Sequence, residues 1–325
     1  MKWPAGVSGS NNKNLRLAGN LLGVAATIYL GWKIGTDNRW EELSDALTRL
    51  HRLSWIWLLP ALLLLPVNIL CEALKWKQLI RPIETLRLQQ AVKAVLAGTA
   101  AGFVTPNRTG DIAGRLGFIR QQHRKAVLAA GLVNSITQNA AIVLAGLPSL
   151  TILLLRQGPA APDVGKYAGW AGIFLLVSMV GLYGLRKVAL GTQTPWLAGI
   201  RTLNTPVFLG QTAWSALRFV VFMLQLYSLF RLGGVALSPE HALLSLPAAY
   251  LAITFTPSVA WSEVMVRSSA VVFFTGIWGY PAIVAGFAAS ALWLINVAFT
   301  AAAGSFFLFA QPGLRFFGRQ NIVGS

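Results

Sequence analysis

The sequence predicts an all-α polytopic membrane protein with six full spans and two re-entrant helical hairpins in an inverted-topology repeat. Three observations lead there. Charged residues are only 11% of the 325 and hydrophobic ones 55%, where a soluble domain carries about a quarter charged. Several apolar runs reach the roughly 20 residues that a spanning helix needs. One motif also occurs twice, as Phe103-Val-Thr-Pro-Asn-Arg-Thr-Gly-Asp-Ile-Ala-Gly-Arg115 and as Phe255-Thr-Pro-Ser-Val-Ala-Trp-Ser-Glu-Val-Met-Val-Arg267.

The elements follow in order. Residues 1–14 are polar, and no cleavable signal is expected there. The first span is 15–35. Residues 37–54 read as an amphipathic helix in the interface plane, with Trp40, Leu43, Ala46, Leu47 and Leu50 at helical spacing. The second span, 54–76, has Trp55 and Trp57 as interfacial anchors. Lys75, Lys77, Arg81, Arg87 and Lys93 then crowd together, as in a cytoplasmic loop. Residues 88–105 are too short and too polar at their start to span, and Gly98 and Gly102 suit close helix packing. With 112–119 they form the first hairpin, inside 88–122, and Arg120, Arg124 and Lys125 bring the chain back to the basic side.

The third span, 126–155, contains Asn134, Gln138 and Asn139. The fourth is 167–185, followed by Arg186, Lys187 and Arg201 in another cytoplasmic loop. The fifth, 207–232, carries Arg218 between Gln211 and Gln225. Residues 243–256 and 263–277 make the second hairpin. The last span is 280–310, and Arg315 and Arg319 follow it.

The order of span, span, hairpin, span is thus repeated, in halves 15–155 and 167–310 of a single membrane domain, 1–325. The basic loops place both termini on the cytoplasmic side of the inner membrane. The second half starts in the opposite direction, so its hairpin enters from the opposite face. Eight ordinary spans are the simpler alternative.

The motif explains the hairpins. Pro106 and Pro257 lack an N–H and disfavour helix at Thr105 and Thr256. A new helix starts just after, with Asp111 or Glu263 near its positive end. Asp111–Arg115 and Glu263–Arg267 are spaced to pair on one helical face. Such groups at membrane depth are costly and usually face a working cavity. The candidate substrate-binding residues are therefore Asp111, Arg115, Glu263, Arg267, Arg108, Arg218 and Glu72, with Thr105, Pro106, Gly110, Thr256 and Pro257 at the turns. Arginine grips phosphate bidentately, and a helix start adds donors. Arg218 has a plain alternative, snorkelling to the interface, and Glu72 with Lys75 could be a mere intrahelical pair.

The net charge is +17. It lies in short loops beside apolar helices, so it reads as topology signal and attraction to anionic lipid, not to nucleic acid. Cys71, the single cysteine, reads as a packing residue. His51, His123 and His241 lack metal-ligand spacing, and neither metal nor cofactor is expected.

The stretch 101–119, with its Pro…Gly-acid…Arg pattern, resembles the lysylphosphatidylglycerol synthase transmembrane-region family. Cys71-Glu-Ala-Leu-Lys-Trp76, the approach helix 86–98, and Ser215-Ala-Leu-Arg218 through Gln225 also match that family's layout. By position Pro106, Gly110, Asp111 and Arg115 correspond to its first hairpin motif, and Pro257 and Glu263 to its second. The second turn departs from the family's glycines: Ser258, Val259 and Ala260 replace them, and Trp261 intrudes. The resemblance implies a flippase-like, lipid-translocating domain such as that of aminoacyl-phospholipid proteins conferring resistance to cationic peptides. No soluble aminoacyl-transferase half is expected with it.

The function expected is therefore translocation of an anionic, zwitterionic or lipid-linked headgroup by alternating access at the paired hairpins. Two alternatives stay open. One is a membrane enzyme acting on a lipid phosphate, although no nucleophile elbow or metal motif supports it. The other is an accessory subunit of a lipid-synthesis enzyme. The expected partner is a membrane phospholipid or lipid-linked substrate, with a second copy of the chain or a lipid-synthesis enzyme as further candidates.

Overall fold

A computed structural model describes residues 21, 24–36, 54–105, 108–156, 187, 191, 205–256 and 260–310. Most of them are helical, with no strand among them. Helix α1 covers 24–35. A 3-10 turn, Ser54–Trp57, leads into α2, Leu58–Ile80. Helices α3, Leu88–Phe103, and α4, Gly110–Leu116, form the first short pair. Then come α5, Arg124–Arg156, and α6, Thr205–Leu232. Helices α7, Pro239–Phe255, and α8, Ala260–Gly276, form the second pair. Helix α9, Ala282–Trp293, passes through a π-helical turn, Leu294–Phe299, into α10, Thr300–Phe309.

Four stretches are long and apolar enough to cross a bilayer: Trp55–Ile80, Gln121–Arg156, Pro206–Leu232 and Ala282–Phe309. They coincide with the second, third, fifth and last expected spans. The second runs one turn further than the sequence suggests, to Ile80, because Leu79 and Ile80 are buried against the core around Trp76. The first span is described only in part. The fourth span, the interfacial helix of 37–54 except Ser54, and the tip residues Pro106 and Pro257 lie outside the described residues. The paired helices are short. At about 1.5 Å per residue, the 16 residues of α3 reach roughly 24 Å and the 7 of α4 roughly 10 Å, against a hydrocarbon core of about 30 Å.

Local chemistry sets the ends. At the start of α3 the Arg87 N–H donates to Gln90 Oε1, 2.9 Å. At the start of α7, Ser238 Oγ accepts from the His241 N–H, 3.2 Å, with Pro239 in the first turn. Helix α6 closes on Gly234, whose φ of 79° suits glycine.

Helices α2 and α6 are the central pair. Gln225 Nε2 donates to the Ala61 carbonyl, 2.8 Å, and Gln211 Nε2 to the Lys75 carbonyl, 3.0 Å. Arg218 Nε donates to Asn68 Oδ1 between them, 2.7 Å. Each step advances seven residues in α2 and retreats seven in α6, so the two helices run antiparallel. Around this axis each helix of a short pair meets a long helix distant in sequence: α3 packs on α10, and α7 on α5. Helix α1 joins the second pair, with Ser269 Oγ donating to the Ala26 carbonyl, 3.0 Å.

The α3–α10 and α7–α5 contacts use the same device. A Cβ on Gly304 in α10 would collide with the Leu96 carbonyl and touch Ala100. A Cβ on Gly146 in α5 would collide with the Pro247 carbonyl and Leu251 Cβ, each 2.7 Å away. Missing side chains let the backbones meet in each case, which is how membrane helices gain dispersion contact when lipid offers no hydrophobic drive.

Candidate functional site

Each of the four spans has a polar side chain within one residue of its midpoint: Asn68, Gln138 with Asn139, Arg218, and Asn296. Asn68, Gln138, Arg218 and Asn296 meet. Besides its bond to Asn68, Arg218 donates through Nη1 to Glu72 Oε2, 2.9 Å, and to Gln138 Oε1, 3.4 Å. Asn68 Nδ2 donates to Asn296 Oδ1, 3.2 Å. Asn296 sits in the π-helical turn, a feature that often marks functional positions.

Glu72 is the hub. Its Oε1 takes Arg115 Nη2 at 2.8 Å and Asn134 Nδ2 at 3.0 Å, and its Oε2 takes Arg218. Its neighbour Lys75 is fully buried and donates through Nζ to the Asn134 carbonyl, 2.9 Å. Glu72 and Lys75 are thus not the simple intrahelical pair that the sequence left open. Nor does Arg218 snorkel to an interface, since Asn68, Glu72 and Gln138 hold it at mid-span.

The expected helical pairs both form. Arg115 donates to both Asp111 oxygens, Nε to Oδ1 at 3.2 Å and Nη2 to Oδ2 at 2.7 Å, and its guanidinium lies over the Trp76 ring, 4.8 Å from the centroid. Arg267 donates to Glu263 Oε1 from Nε at 3.1 Å and Nη2 at 2.6 Å, and faces the Tyr250 ring. The first pair depends on Gly98, where a Cβ would strike the Asp111 carbonyl at 2.7 Å and Arg115 Cγ at 2.9 Å.

At the described edge of the first tip, Thr105 Oγ1 accepts from the Gly110 N–H, 2.7 Å, and donates back to the Gly102 carbonyl, 3.1 Å. That closes the turn and starts α4, which puts Asp111 in its first turn. Arg108 has φ 56°, the left-handed region that non-glycine residues avoid. Such strain costs about 1–3 kcal/mol and clusters at ligand clamps. On the other side, Thr256 Oγ1 donates to the Ala252 carbonyl, 2.8 Å.

One cavity of about 680 Å³ collects all seven charged candidates, Glu72, Arg108, Asp111, Arg115, Arg218, Glu263 and Arg267, together with Thr256. Thr105 and Gly110 shape the tip behind it, and Pro106 and Pro257 lie outside the described residues. Four guanidiniums face three carboxylates in the wall, an excess of one positive charge, and the Lys75 ammonium behind Glu72 makes it two. Apolar side chains such as Phe219, Phe222 and Ile253 complete the lining. The sequence reading did not single out Asn68 and Asn296, and noted Asn134 only as lying within a span. Their mid-span position was the available signal. Among the described residues no three His, Cys, Asp or Glu side chains gather into a metal site.

Away from the cavity, both histidines among the described residues brace the bases of the helix pairs. Glu84, just before α3, accepts from the Arg120 N–H and Nε at 3.1 and 3.2 Å and pairs with His123 Nδ1 at 3.0 Å. His241, in α7, stacks on Trp278 at 4.0 Å between centroids and hydrogen-bonds the Tyr280 hydroxyl, 2.9 Å.

A protein whose described residues form long apolar helices lining an ion-paired cavity at mid-span is an integral membrane protein with a polar site among its spans. Residues 20–304 match the family described as the lysylphosphatidylglycerol synthase TM region, and the chain belongs to that family. The membership implies a function tied to membrane lipid. No curated protein and no solved structure matches the chain.

Proposed function

We propose that this protein carries the polar headgroup of a membrane phospholipid or lipid-linked molecule between leaflets, holding it in the mid-span cavity while the tails stay in the bilayer. The observation that carries the reading is the convergence on one cavity of seven charged side chains from both helix pairs and both central helices. Isolated charges at this depth are costly and are retained where they serve a pathway. An excess of positive charge suits a phosphate.

The geometry also favours two inverted halves with re-entrant hairpins. Asn68 and Arg218 are 150 residues apart, Ala100 and Leu251 are 151, and Asp111 and Glu263 are 152. Each pair occupies matching places: the central contact, the glycine contact, and the helix start. Equivalent central helices that run antiparallel suit an inverted repeat, whose sites lie where broken helices meet at the midplane. In this reading α3–α4 opens at one face and α7–α8 at the other, and rocking of the halves about the α2–α6 axis exposes the cavity to each side in turn.

The test is reconstitution into vesicles containing labelled anionic, zwitterionic and aminoacylated lipids, with leaflet exchange followed over time. Exchange of at least one lipid is expected to accelerate. Asp111→Asn and Glu263→Gln should each slow it roughly tenfold, the equivalent of about 1.4 kcal/mol. No acceleration for any lipid sinks the proposal.

A further inference from the structure

The charges in the cavity are unequally committed. Glu72 accepts from Arg115 on one oxygen and Arg218 on the other. Both Asp111 oxygens are held by Arg115, and Glu263 Oε1 takes two bonds from Arg267. Every carboxylate in the wall is therefore already matched by a guanidinium. On the cationic side Arg108 differs: among the described residues its guanidinium makes no ion pair, although it shares the field of Glu263, Arg267 and Asp111. Its backbone is left-handed and its side chain lines the cavity, and a Cβ on Gly102 would come within 3.4 Å of its own Cβ.

Part of the lining is neutral and hydrogen-bonding. Ser135, Gln138 and Asn139 lie on one face of α5 and line the cavity. Among the described residues Gln138 accepts only the long bond from Arg218 and its NH₂ makes none, and the Asn139 amide makes no hydrogen bond. Amides both donate and accept, as hydroxyl groups do, whereas an ammonium can only donate.

We infer that the headgroup accepted here is an anionic phosphodiester bearing a neutral polyhydroxyl substituent, such as glycerol or a sugar, in preference to a cationic aminoacyl one. The inference rests on the reading of the cavity as a lipid site. Arg108 takes the phosphate, and the α5 amides take the hydroxyls. A cationic substituent would enter a cavity with excess positive charge and find each carboxylate occupied, and displacing a guanidinium would leave that charge buried and unpaired.

The experiment uses the full chain in neutral detergent, with thermal stabilisation titrated by four lipids: phosphatidylglycerol, phosphatidylmethanol, lysyl-phosphatidylglycerol and phosphatidylcholine. Stabilisation by a bound ligand reports its affinity. Phosphatidylglycerol should half-saturate at about a tenfold lower concentration than the lysyl lipid. Phosphatidylmethanol, of equal charge but without hydroxyls, should be about fivefold weaker than phosphatidylglycerol, as for one or two lost hydrogen bonds. Asn139→Leu should narrow that fivefold gap, and Arg108→Gln should weaken both anionic lipids.

Equal or tighter binding of the lysyl lipid overturns the inference, and phosphatidylmethanol equal to phosphatidylglycerol overturns its hydroxyl half. Stabilisation by none of the four overturns both the inference and the lipid site. The preference without leaflet exchange in vesicles overturns translocation alone. The chain-free headgroup glycerophosphoglycerol is the last arm. Binding as tight as that of the lipid would keep the phosphodiester chemistry but overturn the lipid as its source.

Discussion

Arg218 donates to Asn68 at 2.7 Å where two antiparallel helices cross at their midpoints. The same guanidinium reaches Glu72 and Gln138, so three helices share one cation. A lysine offers a point charge and cannot span those partners. Arg218→Lys should lose at least one charge-assisted bond, lowering stability by about 1.5–3 kcal/mol. Thermal melting in detergent measures it, and an unchanged midpoint would show that the contact holds nothing together.

Glu72 neutralises two buried guanidiniums, with the Lys75 ammonium close by. Glu72→Gln should be among the most destabilising single changes in the protein, at about 3–5 kcal/mol, because it strands buried positive charge. Adding Lys75→Met should recover part of the loss. A double-mutant cycle of melting midpoints tests this, and strict additivity would count against a shared network.

Gly146 admits the Pro247 carbonyl and Gly304 the Leu96 carbonyl, each from a helix distant in sequence. Gly146→Ala and Gly304→Ala should each cost about 1–3 kcal/mol through overpacking. Gly276, with nothing near its missing Cβ, serves as the control: Gly276→Ala should leave the melting midpoint nearly unchanged.

Glu84 lies outside the spans. Burial pushes its carboxyl up, but the hydrogen bonds from His123 and Arg120 outweigh that and hold it below its ordinary 4.5. A depressed carboxyl stabilises the fold above the unfolded value, and that contribution disappears as pH falls through the folded one. The difference in melting midpoint between the native protein and Glu84→Gln should therefore be constant near neutrality and shrink in acid below about pH 4.5. A gap that stays constant down to pH 3 would mean the clasp contributes no proton linkage.

If the halves are inverted, the bases of the two hairpins face opposite sides. In a Cys71→Ser background, Arg120→Cys and Glu240→Cys should react with a membrane-impermeant maleimide from opposite sides of sealed vesicles. Labelling of both from the same side would remove the inverted arrangement.

Much of this was legible in the chain itself. The i, i+4 spacing of Asp111 with Arg115 and of Glu263 with Arg267 is a local property, so both pairs could be read before any fold was known. The apolar stretches around Asn68, Gln138, Arg218 and Asn296 could be read as helices for the same reason, since hydropathy and 3.6-residue periodicity act within one segment. The clasp of Glu84 with His123 could not, because it joins residues whose nearness depends on how α3 and α4 fold back.

The sequence alone thus determined that the chain is helical and built for a bilayer, where it breaks, and which side chains would be expensive to bury. The tertiary structure alone decided that Glu72 pairs with Arg115 and Arg218, and that Arg108, among the described residues, lines the cavity without an ion pair. A buried charge takes the partner that helix packing brings within 3 Å. Packing is set by steric fit between distant segments, such as Gly304 against Leu96, which no local pattern encodes.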